Sequence, residues 1–191
     1  MTSNAFFEMF LDLLRDIFNA ENQIISALPK VIKAASNPEL KEALTSHLEE
    51  TKNQVDRLKK IFKTLNENPT GEKCSGMEGI IDECSEALEL SNSSPTVKDA
   101  ALIIGCQKVE HYEIASYGSA RALARHLNDS GISDRIDFDE IADILQQTLD
   151  EESDADEKLT EIAEGGFFTK GINEEAERDS LKTKMTKTKA K

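Results

Sequence analysis

The sequence predicts an all-α chain: a four-helix bundle running up-down-down-up, with a short extra helix in the crossover between helices two and three. Three observations carry that expectation. Apolar residues recur at helical spacing along four long segments. Only four prolines and nine glycines interrupt 191 residues, tryptophan is absent, and 31% of the chain is charged, a composition that suits solvated helix faces better than a sheet. The breaks between segments carry capping and turn residues, and one break is long enough to hold a helix of its own.

The first helix is expected from about Asn4 to Ala35, where Phe7, Phe10, Leu11, Leu14, Phe18, Glu21, Ile25, Leu28 and Ile32 share a stripe. Pro29 lies inside that pattern and is expected to kink or interrupt it, because proline deletes a backbone hydrogen bond. Ser36-Asn37-Pro38 then supplies a cap followed by proline at the first helical position. The second helix runs to about Leu65 on Leu40, Leu44, Leu48, Leu58, Ile61, Phe62 and Leu65, and Asn66–Gly71 is turn chemistry. Cys74–Leu90 is a shorter amphipathic stretch, with Met77, Ile80, Ile81, Cys84 and Leu88 facing inward. After the SNSSP break, the third long helix covers Thr96–Leu127. Asp134 or Asp137 caps the fourth, which runs to about Ala163 before Gly165-Gly166. Residues 1–165 therefore form one domain. Residues 166–191 read as a polar, basic, disordered tail, ending in the low-complexity run SLKTKMTKTKAK. A bundle with one long crossover is the ferritin-like arrangement.

A net charge of −14 with no basic face to offset it argues against binding nucleic acid or an anionic membrane. No apolar run is long enough to span a bilayer, and the start of the chain lacks the basic region of a signal peptide. Three cysteines, Cys74, Cys84 and Cys106, form no C-x-x-C pair and no disulfide framework, so a reducing cytoplasmic location is expected.

Chemistry concentrates in KVEHYEIASYG, residues 108–118. Glu110 and Glu113 lie one helical turn apart on the side that also carries Cys106, Tyr117 and Ala120, so both acids are expected to point inward. Buried carboxylates need partners, protons or a metal ion. The other long helices offer Glu21, Glu50, and Glu152 with Asp156 on their inner faces, and Gln54 follows Glu50 by one turn. Four helices converging acids on one interior point is the pattern of a dinuclear carboxylate metal site, with iron or manganese as the ions. The expected ligand set is Glu21, Glu50, Gln54, Glu110, Glu113, Glu152 and Asp156, Gln54 serving as a weak ligand or as a donor behind the ligands. His47 and His111 are the histidines near these acids, and Tyr117 follows Glu113 by one turn. The pattern leaves open whether Glu49 or Glu50, and Glu151 or Glu152, is the inward residue.

The segments AENQIISALPKVIKAA, HLEETKNQVDRL, KCSGMEGIIDE, DAALIIGCQKVEHYEIASYG and TLDEESDADEKLTEIA resemble the bacterial ferritin-like family of general-stress proteins of the YciF type, from about Phe6 to Ala163. That resemblance implies a rubrerythrin-like bundle, a helical crossover and a homodimer. It aligns Glu110 and Glu113 with the Glu-x-x-Glu pair of rubrerythrins, Glu50 and Glu152 with their other helix glutamates, and Asp156 with a histidine position. Asn53 and Ala155 depart from that pattern, and the chain has no paired C-x-x-C domain, so an external electron donor is implied for any redox turnover. The function expected is a stress-response protein whose dinuclear site reacts with peroxide or dioxygen. The alternative is a dimeric interaction protein with a degenerate site and no catalysis.

Overall fold

A computed structural model describes residues 4–90, 94–130, 135–166 and 170–189, with side chains as far as residue 182. The described residues form helices only: α1 (Ala5–Ala34), α2 (Pro38–Leu65), α3 (Ser75–Leu88), α4 (Pro95–Asp129), α5 (Phe138–Glu164) and α6 (Ile172–Lys189).

Local chemistry sets the helix ends. The Asn4 and Asn37 side chains accept from the amides of Phe6 and Leu40, at 3.0 and 3.1 Å, and Pro38 begins α2 with its preset φ. Ser94 caps α4 ahead of Pro95, and Asp137 caps α5 by accepting from Glu140 N at 2.9 Å. Of the two cap candidates for that helix, Asp134 lies outside the described residues. Asn66 closes α2 in the left-handed region, φ 56°, and Gly165 closes α5 at φ 79°. Of the kink or break expected at Pro29, the break does not occur: α1 runs through it to Ala34. The residue is exposed, so its ring projects away from the core while Ile24 and Leu28 hold the last turns of α1 in place.

α1 packs on α2, α2 on α5, α5 on α4, and α4 back on α1, so the four long helices close a ring. The core inside that ring divides into two apolar clusters. One gathers Phe10, Leu14, Phe62, Leu127, Phe138 and Leu145; the other gathers Ile24, Leu28, Leu44, Leu102, Leu159 and Ile162. Their order along the chain gives the helix directions. α1 and α5 run from the first cluster to the second, and α2 and α4 run the opposite way. Since α2 and α4 are parallel, the link between them must return along the length of the ring, and α3 lies in it against α1 and α4.

The segment after Gly166, expected to be a disordered tail, instead contains α6. Ile172 and Ala176, four residues apart, are buried, and the helix packs on α4 and α5. Thr96 Oγ1 donates to Asp179 at 3.0 Å. Two small anchors in a polar run bury enough to dock the helix but leave little trace in composition.

Candidate metal centre

Between the two apolar clusters lies one layer in which the inward positions are polar. α1 contributes Glu21, α2 contributes His47, Thr51 and Gln54, α4 contributes Glu110 and Glu113, and α5 contributes Thr148 and Glu152; all are buried. Each of the four long helices changes cluster at this level, which puts the layer at mid-height in the ring. One ligand atom from each of His47, Glu110, Glu113 and Glu152 can be chosen so that all four lie within 4.8 Å of one another.

The expected site residues divide into three groups. Glu110, Glu113 and Glu152 come together, with Glu152 rather than Glu151 as the inward acid of α5. Glu21 is fully buried beside them and accepts a hydrogen bond from the Tyr117 hydroxyl, while Gln54 is fully buried and donates from Nε2 to Glu152 Oε1. Glu50 and Asp156 lie outside this buried group. The Glu50 side chain is 42% exposed, accepts from Ser46 at 3.2 Å and lies 3.8 Å from His47 Nδ1. Asp156 is half-buried, accepts from Gln107 Nε2 at 3.1 Å and lies 3.5 Å from the exposed His111. The inward line of α2 is His47, Thr51, Gln54 and Leu58, at steps of three and four, which turns Glu50 to the edge of the helix face. That line continues the Leu40–Leu44 stripe, and this spacing was the sequence signal for His47.

A further partner, Glu151, is held by Arg57, whose Nη1 donates to it at 2.8 Å; Gln54 Nε2 reaches the same carboxylate at 3.1 Å. Arg57 and Gln54 therefore brace the two adjacent acids of α5 from α2. Asp99, which carried no sequence signal, is buried and accepts from the Ser36 and Asn37 amides, both at 2.8 Å, fixing the α1–α2 corner above the layer.

Electrostatically the layer is strained toward positive charge. Burial, then the neighbouring Glu152 charge, pushes the Glu21 carboxyl up to about 8. Burial is also the largest cause for Glu110, Glu113 and Glu152, all of which are raised; the Glu152 charge adds to the rise of Glu110 and Glu113, while His47 and hydrogen bonds from Glu110 and Gln54 hold Glu152 back. His47 moves the other way from what burial alone dictates. The Glu110 carboxylate, with Nε2 3.5 Å from its Oε2, and then Glu50 raise it to about 10. Several buried atoms have no hydrogen-bond partner: both nitrogens of His47, both oxygens of Glu113, and one oxygen each of Glu21, Glu110 and Glu152. Buried polar atoms are ordinarily satisfied, so carboxylate oxygens left without partners around one point fit a cation, whose binding would displace the extra proton of His47. Imidazole and carboxylate oxygens together suit a divalent transition metal.

The described residues thus define an all-helical protein whose ring encloses, at mid-height, a buried histidine–carboxylate cluster of the kind that could hold a metal ion. The chain belongs to the family described as Domain of unknown function (DUF892), whose model matches residues 5–177. It is 40% identical over 167 residues to Protein YciF of Escherichia coli strain K12, covering 87% of this chain and 95% of that one. The crystal structure of the E. coli stress protein YciF superposes with a TM-score of 0.74, covering 84% of this chain and 94% of that chain. YcfI of Rhodopseudomonas palustris, 41% identical, superposes with a TM-score of 0.76 over 85% of this chain and 99% of its own.

Proposed function

We propose that this is a stress-response protein of ferritin-like architecture that holds two divalent ions, iron or manganese, in its mid-height layer and reacts with dioxygen or peroxide there. The observation that carries the reading is the set of unpartnered ligand atoms on His47, Glu110, Glu113 and Glu152, with Glu21 beside them. Four carboxylates and a neutral imidazole balance the charge of two divalent ions, whereas one ion would leave acids to hold protons or repel. The parallel α2 and α4, with α3 in the link between them, support the ferritin-like assignment. The stress role is carried over from the E. coli relative, which is described as a stress protein.

His47, Glu110, Glu113 and Glu152 would hold the ions, and Glu21 would complete the set. Bound ferrous ions would supply electrons to the oxidant, and their return to the ferrous state would draw on an external donor. The chain's own residues prepare the site. Tyr117 orients Glu21 through its hydroxyl, and Gln54 fixes the position of Glu152. The Arg57–Glu151 pair supports Gln54 from behind. The apolar clusters above and below keep bulk water away, which strengthens each of these interactions.

Anaerobic loading with ferrous iron or manganese, removal of free ion and elemental analysis test the reading. About two ions per chain are expected for the wild type, with loss of bound metal in Glu113→Gln. Near-zero binding of both metals would overturn it and leave a non-catalytic interaction protein whose buried acids are held by protons.

A further inference from the structure

The His47–Glu110 edge of the layer is reached from two sides, and the two openings differ in chemistry. Between α2 and α5 lies a cavity of about 200 Å³ whose floor is His47 and Glu110 and whose largely apolar walls carry three acids, Glu50, Glu151 and Asp154, against one cation, Lys158, which is itself paired with Glu39 and Glu161. It presents carboxylates to solvent along the way in. On the other side, between α1, α3 and α4, lies a smaller cavity of about 70 Å³ that ends on the same two residues. Its walls are Ile24, Val31, Ile81 and Val109 with the thiols of Cys84 and Cys106, and Ala27, Lys30 and Ser85 stand at its mouth. Cys106 is buried and uncharged, burial pushing its thiol far above the usual range, so this wall offers no anion to a cation. Both nitrogens of His47 and one oxygen of Glu110, the two residues that both cavities share, lack hydrogen-bond partners.

We infer that the α1–α3–α4 cavity is a binding site for a small, uncharged, apolar molecule of the size of a diatomic gas, presented to the His47–Glu110 edge, while cations approach through the acidic α2–α5 opening. Two physical arguments favour this division. An ion loses several kcal/mol of hydration in an apolar passage that does not replace its water, so the acidic side is the cheaper path for it. Apolar cavities lined by aliphatic groups take up xenon and small hydrocarbons without needing polar partners, and a volume of about 70 Å³ is too small for a lipid chain. α3, which is not a member of the ring, exists in this picture to roof that site with Ile81, Cys84 and Leu88. The significance of the molecule being held there rests on the metal reading above, and it favours dioxygen over the polar peroxide as co-reactant.

Xenon is the probe, applied to the full chain free of added metal, by xenon-pressurised crystallography or xenon magnetic resonance. The expected result is saturable xenon binding in this cavity, lost in Ala27→Phe, which fills it from the half-buried mouth, and unchanged in Asp154→Asn. Manganese uptake measured in parallel should be slowed in Asp154→Asn and unaltered in Ala27→Phe. Absence of xenon from the wild-type cavity, or equal binding in a folded Ala27→Phe, would overturn the proposal, as would manganese uptake blocked by Ala27→Phe alone. Xenon binding in a protein that takes up no metal would sustain the apolar site and remove the metal reading instead.

Discussion

Substituting Glu21 by glutamine should stabilise the metal-free protein, against the usual outcome for a buried residue at a packed centre. The metal-free fold holds Glu21 near a pKa of about 8, against 4.5 when unfolded, chiefly because of burial and secondarily because of the Glu152 charge. At pH 7 the folded chain therefore keeps a proton there that the unfolded chain has released. At about 1.4 kcal/mol per pH unit, the distance from 4.5 to 7 costs the fold about 3 kcal/mol. Glutamine is neutral at every pH and retains an oxygen to accept from Tyr117, so it removes that cost. Its amide nitrogen replaces an oxygen that already has no partner, which returns about 1 kcal/mol. The net gain of about 2 kcal/mol should raise Tm by roughly 4–8 °C for a chain of this length. The sign depends on pH in a defined way. A folded pKa raised above the unfolded one gives stability that is present below about 4.5 and is lost as pH climbs to about 8. The advantage of the variant should thus be absent near pH 4.5 and largest at pH 8. Thermal unfolding followed by circular dichroism with a chelator present, across that range, measures it. With manganese added, the order should reverse at pH 8, since the variant has lost an anion from the layer. A variant that melts below wild type at pH 8 with chelator, or whose difference ignores pH, would refute the account of Glu21 as a carboxyl held neutral by burial.

Three further outcomes are expected. Metal affinity should rise as pH climbs through about 8 and on toward about 10, and uptake should release protons, because Glu21 and His47 are raised to those values and Glu110, Glu113 and Glu152 are raised as well in the metal-free fold; calorimetry in buffers of different ionisation heat counts the protons, and a pH-independent affinity would contradict it. Asp99→Ala should cost about 3 kcal/mol in urea unfolding, since the Ser36 and Asn37 amides both lose a buried carboxylate acceptor. A change below about 0.5 kcal/mol, the ordinary range for a surface site, would show that the corner is held by other contacts. Gly171→Ala should loosen α6 without unfolding the ring, because a Cβ there would come within 2.3 Å of the Ala163 carbonyl oxygen; hydrogen exchange should speed up in residues 172–182 and stay slow in α1 and α4.

Much of the architecture could be read locally. Helix ends follow from Asn37-Pro38, Ser94-Pro95 and Asp137, whose capping depends on residues within one turn. The pair Glu110 and Glu113 was legible as inward because residues three apart on one helix share a side whatever the helix packs against. Other features needed the tertiary structure. His47 and Glu50 differ by only about 60° around their helix, and the packing of α2 against α1 and α5 decides which one enters the centre. The same rotation left Asp156 at the rim while its neighbour one turn back, Glu152, became fully buried. α6 is polar along most of its length, so its place on α4 and α5 depends on a complementary surface those helices create. Periodicity and capping, being short-range, determined the number of long helices and the acids on offer. Which acids share one point, and which openings lead to it, is set by how six helices rotate against one another, a property no single helix encodes.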